Sequence, residues 1–267
     1  MSNYTIKLAQ ISDIHLGGEY GGKFDVEGNF RKLLDKIPED RMLIITGDLA
    51  DENHKGHYED IKTAVEAKFQ HYMVLPGNHD DVPLMYEMFH GHLGWTIYKG
   101  LGISLVPTIA VHGTGPLGEH TVEGGLLPSV DLTTAILRDS LVFTHYPVIS
   151  SSHQFMNKFA LNYADKHAIL SEMIKKRCRW LFCGHFHDYC RSDYNTYVEE
   201  HLNDTNKSYR MCEKTSITQY ICPASQCQID PHSDTFVATS TQPDGLLINA
   251  ELDDSQLILD LQVRTIF

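Results

Sequence analysis

The strongest constraint on the fold is an alternation of short apolar runs with segments of helical period over the first two thirds of the chain. Residues 5–12 and 42–46 have the composition of strands, and the second run is apolar almost throughout, as in sheets covered on both faces. Between them, apolar residues recur at helical spacing from Val26 to Ile37, with Asp25 as N-cap and Pro38 as a stop. This strand–helix–strand order predicts mixed sheets with helices outside them.

The same spacing rules predict the remaining elements. Helices are predicted at 61–69, 82–90, 132–138 and 164–176, and strands at 71–75, 103–109, 140–144 and 179–183. From Tyr189 onward the helical period fades, and we expect antiparallel strands at 217–222, 235–240, 245–252 and 256–264. The polar interval 195–214 favours a long hairpin or surface insertion over a lid or a dimer contact. Since no linker interrupts the chain, residues 1–267 are expected to form a single domain.

Composition and charge narrow the class of protein. The 267 residues carry 22 basic and 35 acidic side chains, which gives a formal net charge of −13. Because nucleic acid is held largely through its phosphates, long nucleic acid is not an expected partner. No run approaches the roughly 20 apolar residues that cross a bilayer, so no membrane association is expected. The six cysteines form no paired CxxC units and are expected to be reduced thiols, which favours a cytoplasmic protein.

Five short polar motifs each follow an apolar run. They are Asp13-Ile14-His15, Gly47-Asp48, Gly77-Asn78-His79-Asp80, His145, and Gly184-His185-Phe186-His187. In open α/β folds the carboxyl ends of the strands form the ligand-binding edge, so all five motifs are expected in one cleft. Each motif alone has an ordinary explanation, such as a turn or a core histidine. The complete ordered set indicates a functional site.

The residue types in these motifs favour bound metal. Asp, Asn and neutral His supply oxygen and imidazole ligands that suit Mn, Fe, Zn or Co, and the absence of Cys argues against a closed structural zinc site. In the first and last motifs the two ligand-type residues are two positions apart, so an extended backbone would turn both to the same side. Each pair could then hold one ion.

The ordered set DxH, GD, GNH[DE], H and GHxH resembles the signature of the calcineurin-like metallophosphoesterases and spans about two thirds of the chain. This resemblance implies an α/β fold, a four-layer α/β/β/α sandwich of two mixed sheets. It also implies a cofactor of two divalent metal ions, with Mn and Fe favoured. By the resemblance, the ligands of the first ion are Asp13, His15, Asp48 and His187. Those of the second are Asp48, Asn78, His145 and His185, with Asp48 bridging.

The same resemblance implies that His79 is the general acid. A pKa near neutrality suits an imidazole to protonate a departing alkoxide. Asp51 is predicted to accept a hydrogen bond from His79 and orient it; the alternative is a solvated acid near a helix start. Asn78 and His79 are expected to bind substrate. Tyr20, in the glycine-rich loop 17–22, is expected to contact substrate unless that loop is only a flexible connector.

The expected substrate is a phosphoester, because a pair of cations can activate water and neutralise phosphoryl oxygens. The Ser/Thr protein phosphatases of this superfamily carry GDxVDRG, and this chain lacks that arginine. The motif Thr144-His145-Tyr146-Pro147 and the segment 223–228 resemble instead the class III cyclic-nucleotide phosphodiesterases, although a tyrosine or arginine often found after the glycine at 245 is absent. This favours hydrolysis of 3′,5′-cyclic nucleotides to nucleoside monophosphates.

Other functions stay open. A broad-specificity phosphodiesterase or phosphomonoesterase and a 2′,3′-cyclic nucleotide phosphodiesterase are the main alternatives. A non-catalytic scaffold of the same fold is a remote one, since a scaffold is expected to lose ligand residues and here every position is filled. The expected partner is a small phosphoester or nucleotide, and a homodimer is an open possibility.

Overall fold

Two mixed β-sheets pack face to face in the computed structural model, which describes residues 3–18, 25–51, 54–114, 120–153, 156–204, 207–226, 228–229, 238–240 and 242–267. The helices are α1 (Val26–Lys36), α2 (Lys55–Glu66), α3 (Val82–Phe89), α4 (Leu132–Ala135) and α5 (Tyr163–Lys175), with short 3₁₀ helices at His90–His92 and Met156–Phe159. The strands are β1 (Tyr4–Ile11), β2 (Met42–Thr46), β3 (Tyr72–Leu75), β4 (Trp95–Tyr98), β5 (Leu101–Leu105), β6 (Ile109–Thr114), β7 (His120–Leu126), β8 (Leu141–Phe143), β9 (Trp180–Cys183), β10 (Cys190–Asp204), β11 (Lys207–Ile221), β12 (Gln228–Ile229), β13 (Ala238–Ser240), β14 (Leu246–Leu252) and β15 (Ile258–Thr265).

The first sheet has the strand order β15-β14-β1-β2-β3, and the second has the order β10-β11-β9-β8-β5-β4. In the first sheet β1, β2 and β3 are parallel, and β14 runs antiparallel to both β1 and β15. In the second sheet β5, β8, β9 and β11 are parallel, and β4 and β10 are antiparallel edge strands. The strands β6 and β7, and likewise β12 and β13, form separate two-stranded sheets.

Alternating residues of β2 show how the layers are held together. Leu43 and Ile45 pack with α1, α2 and α3 on the outer face of the first sheet. Met42 and Ile44 pack against the second sheet in a core between the two sheets. A third core covers the other face of the second sheet, where residues of α5 such as Ile169 meet β8 and β9. The predicted α/β/β/α sandwich is therefore confirmed, and the apolar run 42–46 is buried on both faces.

Some predicted element bounds are confirmed and others need correction. α1 has its N-cap at Asp25, which accepts a hydrogen bond from the Gly28 amide, as expected. α4 ends at Ala135 rather than 138, because Ile136 is already extended. β11 is antiparallel only to β10 and lies parallel to β9, so the expectation of purely antiparallel strands after residue 189 was wrong. Part of the predicted strand 235–240 lies outside the described residues.

The polar interval 195–214 lies within the β10–β11 hairpin, whose strands pair from Cys190 with Ile221 to Asp204 with Lys207. Hydrogen bonding along both strands satisfies the backbone of a segment that has few apolar residues. Within the described part of the chain, no helix is both long enough and apolar enough to cross a membrane.

The sheets also place the polar motifs. β1, β2 and β3 of the first sheet, and β8 and β9 of the second, each end directly before one of the five motifs. Within each sheet these strands are parallel, so their carboxyl ends lie at a common edge.

Candidate metal centre

The predicted site residues meet in a single cluster at this edge. Ligand atoms lie within 4.8 Å of one another in three groups, which are Asp13 with His15 and His187, His15 with Asp48 and His79, and Asp48 with His145 and His185. Asn78 joins them through its Oδ1, 2.9 Å from His145 Nε2. Asp51 contacts both His15 and His79. Tyr20 lies outside the described residues, so its predicted role stays a prediction.

Asp48 occupies the middle of the cluster. Its Oδ2 lies 3.6 Å from His15 Nε2 and 3.5 Å from His145 Nε2. His15 Nε2 is in turn 3.2 Å from His187 Nε2, which lies 3.4 Å from Asp13 Oδ1. One carboxylate oxygen therefore separates two groups of donor atoms, which is the position a bridging ligand requires.

The backbone of the motifs is unusual. Among the non-glycine residues that the structure describes with positive φ, five belong to the motifs: Asp13, His15, Asp48, His185 and His187. Their φ values of 52 to 71° lie in the left-handed region, which costs free energy for residues with a Cβ. The expectation of an extended backbone in the first and last motifs was therefore wrong, although the paired side chains still converge. Such local cost is typical of functional sites.

Two motif glycines permit the close approach of these loops. A Cβ on Gly77 would lie 2.1 Å from Asp48 Oδ1, and a Cβ on Gly47 would lie 2.5 Å from His145 Nδ1. Gly47 also has a φ of +97°, which disfavours side chains. Because both contacts involve ligand-type residues, these glycines shape the cluster directly.

Outer hydrogen bonds set which imidazole nitrogen faces the cluster. His145 Nδ1 lies 2.8 Å from the carbonyl oxygen of Thr46 and donates its proton there, so Nε2 is the ring nitrogen that faces Asp48. His185 Nε2 lies 3.2 Å from the Phe159 carbonyl oxygen, which leaves the lone pair on Nδ1. His15 Nδ1 donates in the same way to Asp51. Metal-binding histidines in proteins are oriented by such acceptors.

The buried charges complement one another. Burial lowers the pKa of His185 to about 3, and His145 adds to the effect, so this imidazole is neutral at pH 7. Burial acts to raise the pKa of Asp13, but the neighbouring His187 outweighs it and lowers the pKa to about 2. Burial also opposes ionisation of Asp48, yet His145, His79 and His15 hold its pKa well below its usual range. Carboxylates and imidazoles together are the donor set of a transition-metal site, so these residues fit divalent metal ions.

His79 lies at the exposed rim of the cluster. Its backbone N–H donates to Asp48 Oδ1 at 2.9 Å, and its Nδ1 lies 2.8 Å from Asp51 Oδ1. Burial acts to lower the pKa of His79, but the hydrogen bond that His79 donates to Asp51 and the charge of Asp48 outweigh it and raise the pKa to about 9. An imidazolium held at the mouth of the site is placed to donate a proton.

Asp80 was not among the predicted site residues, although it is the last residue of its motif. It accepts hydrogen bonds from Leu49 N at 2.9 Å and Gly77 N at 2.8 Å, and from the Tyr58 hydroxyl at 3.2 Å. It therefore ties the loop after β2 to the loop after β3. The only sequence signal for this role is its place in the Gly-Asn-His-Asp motif.

Comparisons with known proteins agree with this geometry. The family model described as calcineurin-like phosphoesterase matches residues 6–189. A Fibrobacter succinogenes protein named a probable cyclic nucleotide phosphodiesterase is 27% identical over 263 residues, 93% of this chain and 91% of that protein. A Coxiella burnetii protein of the same description is 33% identical over 89 residues, 32% of this chain and 36% of that protein.

A solved structure shares the fold. The purple acid phosphatase PPD1 from yellow lupin superposes with a TM-score of 0.52 at 12% identity. The match covers 98% of this chain and 54% of that one, so the chain spans about half the length of the lupin enzyme. At this identity the likeness concerns the fold alone.

Proposed function

The chain belongs to the calcineurin-like phosphoesterase family, and from this premise we propose that it hydrolyses 3′,5′-cyclic nucleotides to nucleoside monophosphates. Membership makes it a metal-dependent phosphoric ester hydrolase. The observation that carries the choice of substrate is the similarity, over 93% of the chain, to a relative named a probable cyclic nucleotide phosphodiesterase. The complete set of donor residues supports catalysis over a scaffold role.

The proposed metal ligands divide into two sets that share Asp48. Asp13, His15 and His187 complete the first set, and Asn78, His145 and His185 complete the second. Two divalent ions bound there, with Mn and Fe favoured, would supply a hydroxide and neutralise the phosphoryl oxygens. The protein holds the ligands in place through the Thr46 and Phe159 carbonyls and the Asp51 carboxylate.

We assign proton donation to His79. Hydrolysis to a nucleoside 5′-monophosphate breaks the bond between phosphorus and the ribose O3′, and that alkoxide needs a proton as it departs. Asp51 accepts the Nδ1 proton of His79, so the Nε2–H can be directed to the leaving oxygen. Asn78 turns its Oδ1 towards His145, and its amide N–H groups can donate to a phosphoryl oxygen. In this proposal Asp51 is a positioning residue.

The test is a substrate panel with the Mn²⁺-loaded protein. It contains 3′,5′-cyclic AMP and GMP, 2′,3′-cyclic AMP, a dinucleotide, bis(p-nitrophenyl) phosphate and p-nitrophenyl phosphate, with Asp48→Asn as the inactive control. We expect the highest kcat/KM for the 3′,5′-cyclic nucleotides and 5′-nucleotide products. A preference for the monoester or for the 2′,3′-cyclic ester would refute the substrate while keeping the family. A folded, metal-loaded protein inert towards every ester would favour a scaffold.

We also propose a cytoplasmic location. All cysteines that the structure describes side chain by side chain are free thiols, namely Cys178, Cys183, Cys190 and Cys222. Three of these are buried, where a free thiol packs as a small apolar side chain. Fractionation of cells that express the protein at native level would test the location, and recovery outside the cytoplasmic fraction would contradict it.

A further inference from the structure

A cluster of cations lies at the edge of the second sheet opposite the metal centre. It is formed where the chain leaves α4 and α5, by Arg138, Lys175, Lys176, Arg177 and Arg179. The neighbouring acids are Asp139 and Glu172, which pair with Arg177 and Lys175. In a chain of net charge −13, this local excess of positive charge stands out and favours an anionic ligand.

Asp139 orders two of these arginines. Arg138 Nε lies 3.4 Å from its Oδ2, and Arg177 Nε lies 3.2 Å from its Oδ1. The Asp139 backbone N–H donates to the Lys176 carbonyl at 2.8 Å, which joins the segment after α4 to the end of α5. A guanidinium carries five N–H donors, and each arginine uses its Nε here, so the terminal N–H groups remain able to bind an anion.

Beside this pair is a cavity of about 150 Å³, which we call the arginine hollow. It is lined by Asp139, Ser140, Arg177, Arg179, Trp180 and the segment 257–259. One wall is cationic, whereas the other consists of the half-buried indole of Trp180 and the exposed side chains of Leu257 and Leu259. A ligand that matches both walls has an anionic group joined to a flat or apolar body.

We propose that the arginine hollow binds a nucleoside monophosphate, with its phosphate on Arg177 and Arg179 and its base against Trp180. A second cavity of about 310 Å³ on the other side of Asp139, lined in part by Arg138 and Leu257, gives the ligand further room. Small size and a concave shape favour one phosphate and one ring over an extended polyanion. A nucleoside monophosphate is also the product of the reaction proposed above. If that function holds, binding in the hollow would respond to the concentration of product.

The hollow is separate from the metal centre. Trp180 begins β9 and His185 follows its carboxyl end. At about 3.3 Å per residue, the three steps of β9 from Trp180 to Cys183 span roughly 10 Å, and His185 lies beyond the far end. A nucleotide in the hollow would therefore not touch the proposed metal ligands.

Tryptophan fluorescence tests this proposal, because the chain has only two tryptophans. In the Trp95→Phe variant, Trp180 is the sole reporter, and Trp95 is exposed, so its replacement is expected to be tolerated. The Mn²⁺-loaded protein is titrated with AMP, ribose 5-phosphate, inorganic phosphate and adenosine. We expect a saturable change with AMP, weaker binding of the two ligands without a base, and none for adenosine.

Two double variants separate specific from general charge effects. Arg177→Gln with Arg179→Gln is expected to raise the Kd for AMP at least about tenfold, since charge-assisted hydrogen bonds are lost. Hydrolysis of bis(p-nitrophenyl) phosphate should stay unchanged. The matched control is Arg31→Gln with Lys55→Gln, two exposed cations on α1 and α2 that each pair with one glutamate. Its Kd should equal that of the parent.

Three results would overturn the proposal: no saturable change with AMP, an arginine variant that binds like the parent, or a control variant weakened as much as the arginine variant. Adding Asp48→Asn locates the binding, because the signal should persist when the metal centre is damaged and its loss would assign binding to that centre. Since the titration needs no turnover, failure of the cyclic-nucleotide assay would leave this result unaffected.

Discussion

The two sheets contribute different chemistry to the metal centre. The first sheet supplies the acids and the amide, Asp13, Asp48 and Asn78, together with the imidazole of His15 and, at the rim, that of His79. The second sheet supplies three imidazoles, His145, His185 and His187. The carboxylates therefore come from one side of the sandwich, and the imidazoles come mostly from the other.

Each sheet also orients groups of the opposite sheet. The His185 backbone N–H, after β9, donates to Asp13 at 3.1 Å. His145, after β8, donates from Nδ1 to the carbonyl of Thr46 at the end of β2. The centre is thus a product of the packing between the sheets, and neither edge alone presents an ordered site.

The sharpest test of this comparison removes one acid and one imidazole. We expect Asp48→Ala to lower kcat at least about 10³-fold, because it removes the carboxylate proposed to hold both ions, whose charge stabilisation is worth several kcal/mol. His185→Ala, which removes a neutral donor, should lower kcat about 10²-fold. Steady-state kinetics with metal analysis of each variant measures both effects, and Asp60→Ala, an exposed acid on α2, is the control. Equal losses for the two variants would show that acid and imidazole contributions do not differ.

His79 should affect catalysis without affecting metal binding. We expect His79→Ala to keep the full metal content and to lower kcat about 10²-fold or more for an alkyl phosphodiester, whose leaving oxygen needs a proton. Esters of p-nitrophenol leave without that help, so their hydrolysis should change little and serves as the internal control. Unchanged turnover of the alkyl ester would remove His79 from the role of general acid.

Asp51 connects a proposed metal ligand with the proposed proton donor, because it contacts His15 within the cluster and His79 at its rim. The isosteric Asp51→Asn variant keeps the volume but weakens both contacts. We expect a loss of kcat of about 10- to 100-fold, the usual effect of changing a group that orients a metal ligand. Rate profiles against pH should also shift relative to wild type. A variant with wild-type rate and profile would remove Asp51 from the role of positioning residue.

The arrangement of the layers could be predicted from the sequence because burial leaves a pattern. β2 is buried at every position and apolar at all but Thr46, since both of its faces are covered, and α1 carries both an apolar stripe and an N-cap. β4 was missed because it is an edge strand whose large side chains, Trp95 and Ile97, are exposed. β10 was expected only as part of a hairpin or insertion at 195–214, and its start at Cys190 was not predicted, since a polar edge strand has no periodic apolar face.

For the candidate site, too, some features could be predicted from the sequence and others could not. Side-chain types and strand ends predicted which residues come together, because parallel strands that end at one edge leave little choice. The left-handed backbone of Asp13 and His185 was not predicted, since Asp and His adopt it more often than most residues but still uncommonly. The hydrogen bond between His185 and the Phe159 carbonyl oxygen could not be predicted either, because every residue has a carbonyl group.

The smallest expected effect concerns how the loops of the first sheet are held. The Tyr58 hydroxyl donates to Asp80 and accepts from the Asp81 N–H at 3.0 Å, so Tyr58→Phe leaves a backbone donor unpaired. We expect a loss of about 1–3 kcal/mol in the free energy of unfolding. Because Asp80 ties two loops of the centre together, kcat/KM should also fall, by about threefold, which corresponds to less than 1 kcal/mol.

A matched change in the second sheet separates stability from positioning. Ser104 is buried, and its hydroxyl accepts the Leu137 N–H at 2.9 Å and contacts Ser140 at 3.0 Å, at the edge away from the metal centre. Ser104→Ala should therefore cost a similar free energy of unfolding and leave kcat/KM unchanged. Urea denaturation and steady-state kinetics on both variants give the comparison. If the two variants lose activity equally, the effect follows global stability, and the hydrogen bond to Asp80 does not position the loops that carry the acids.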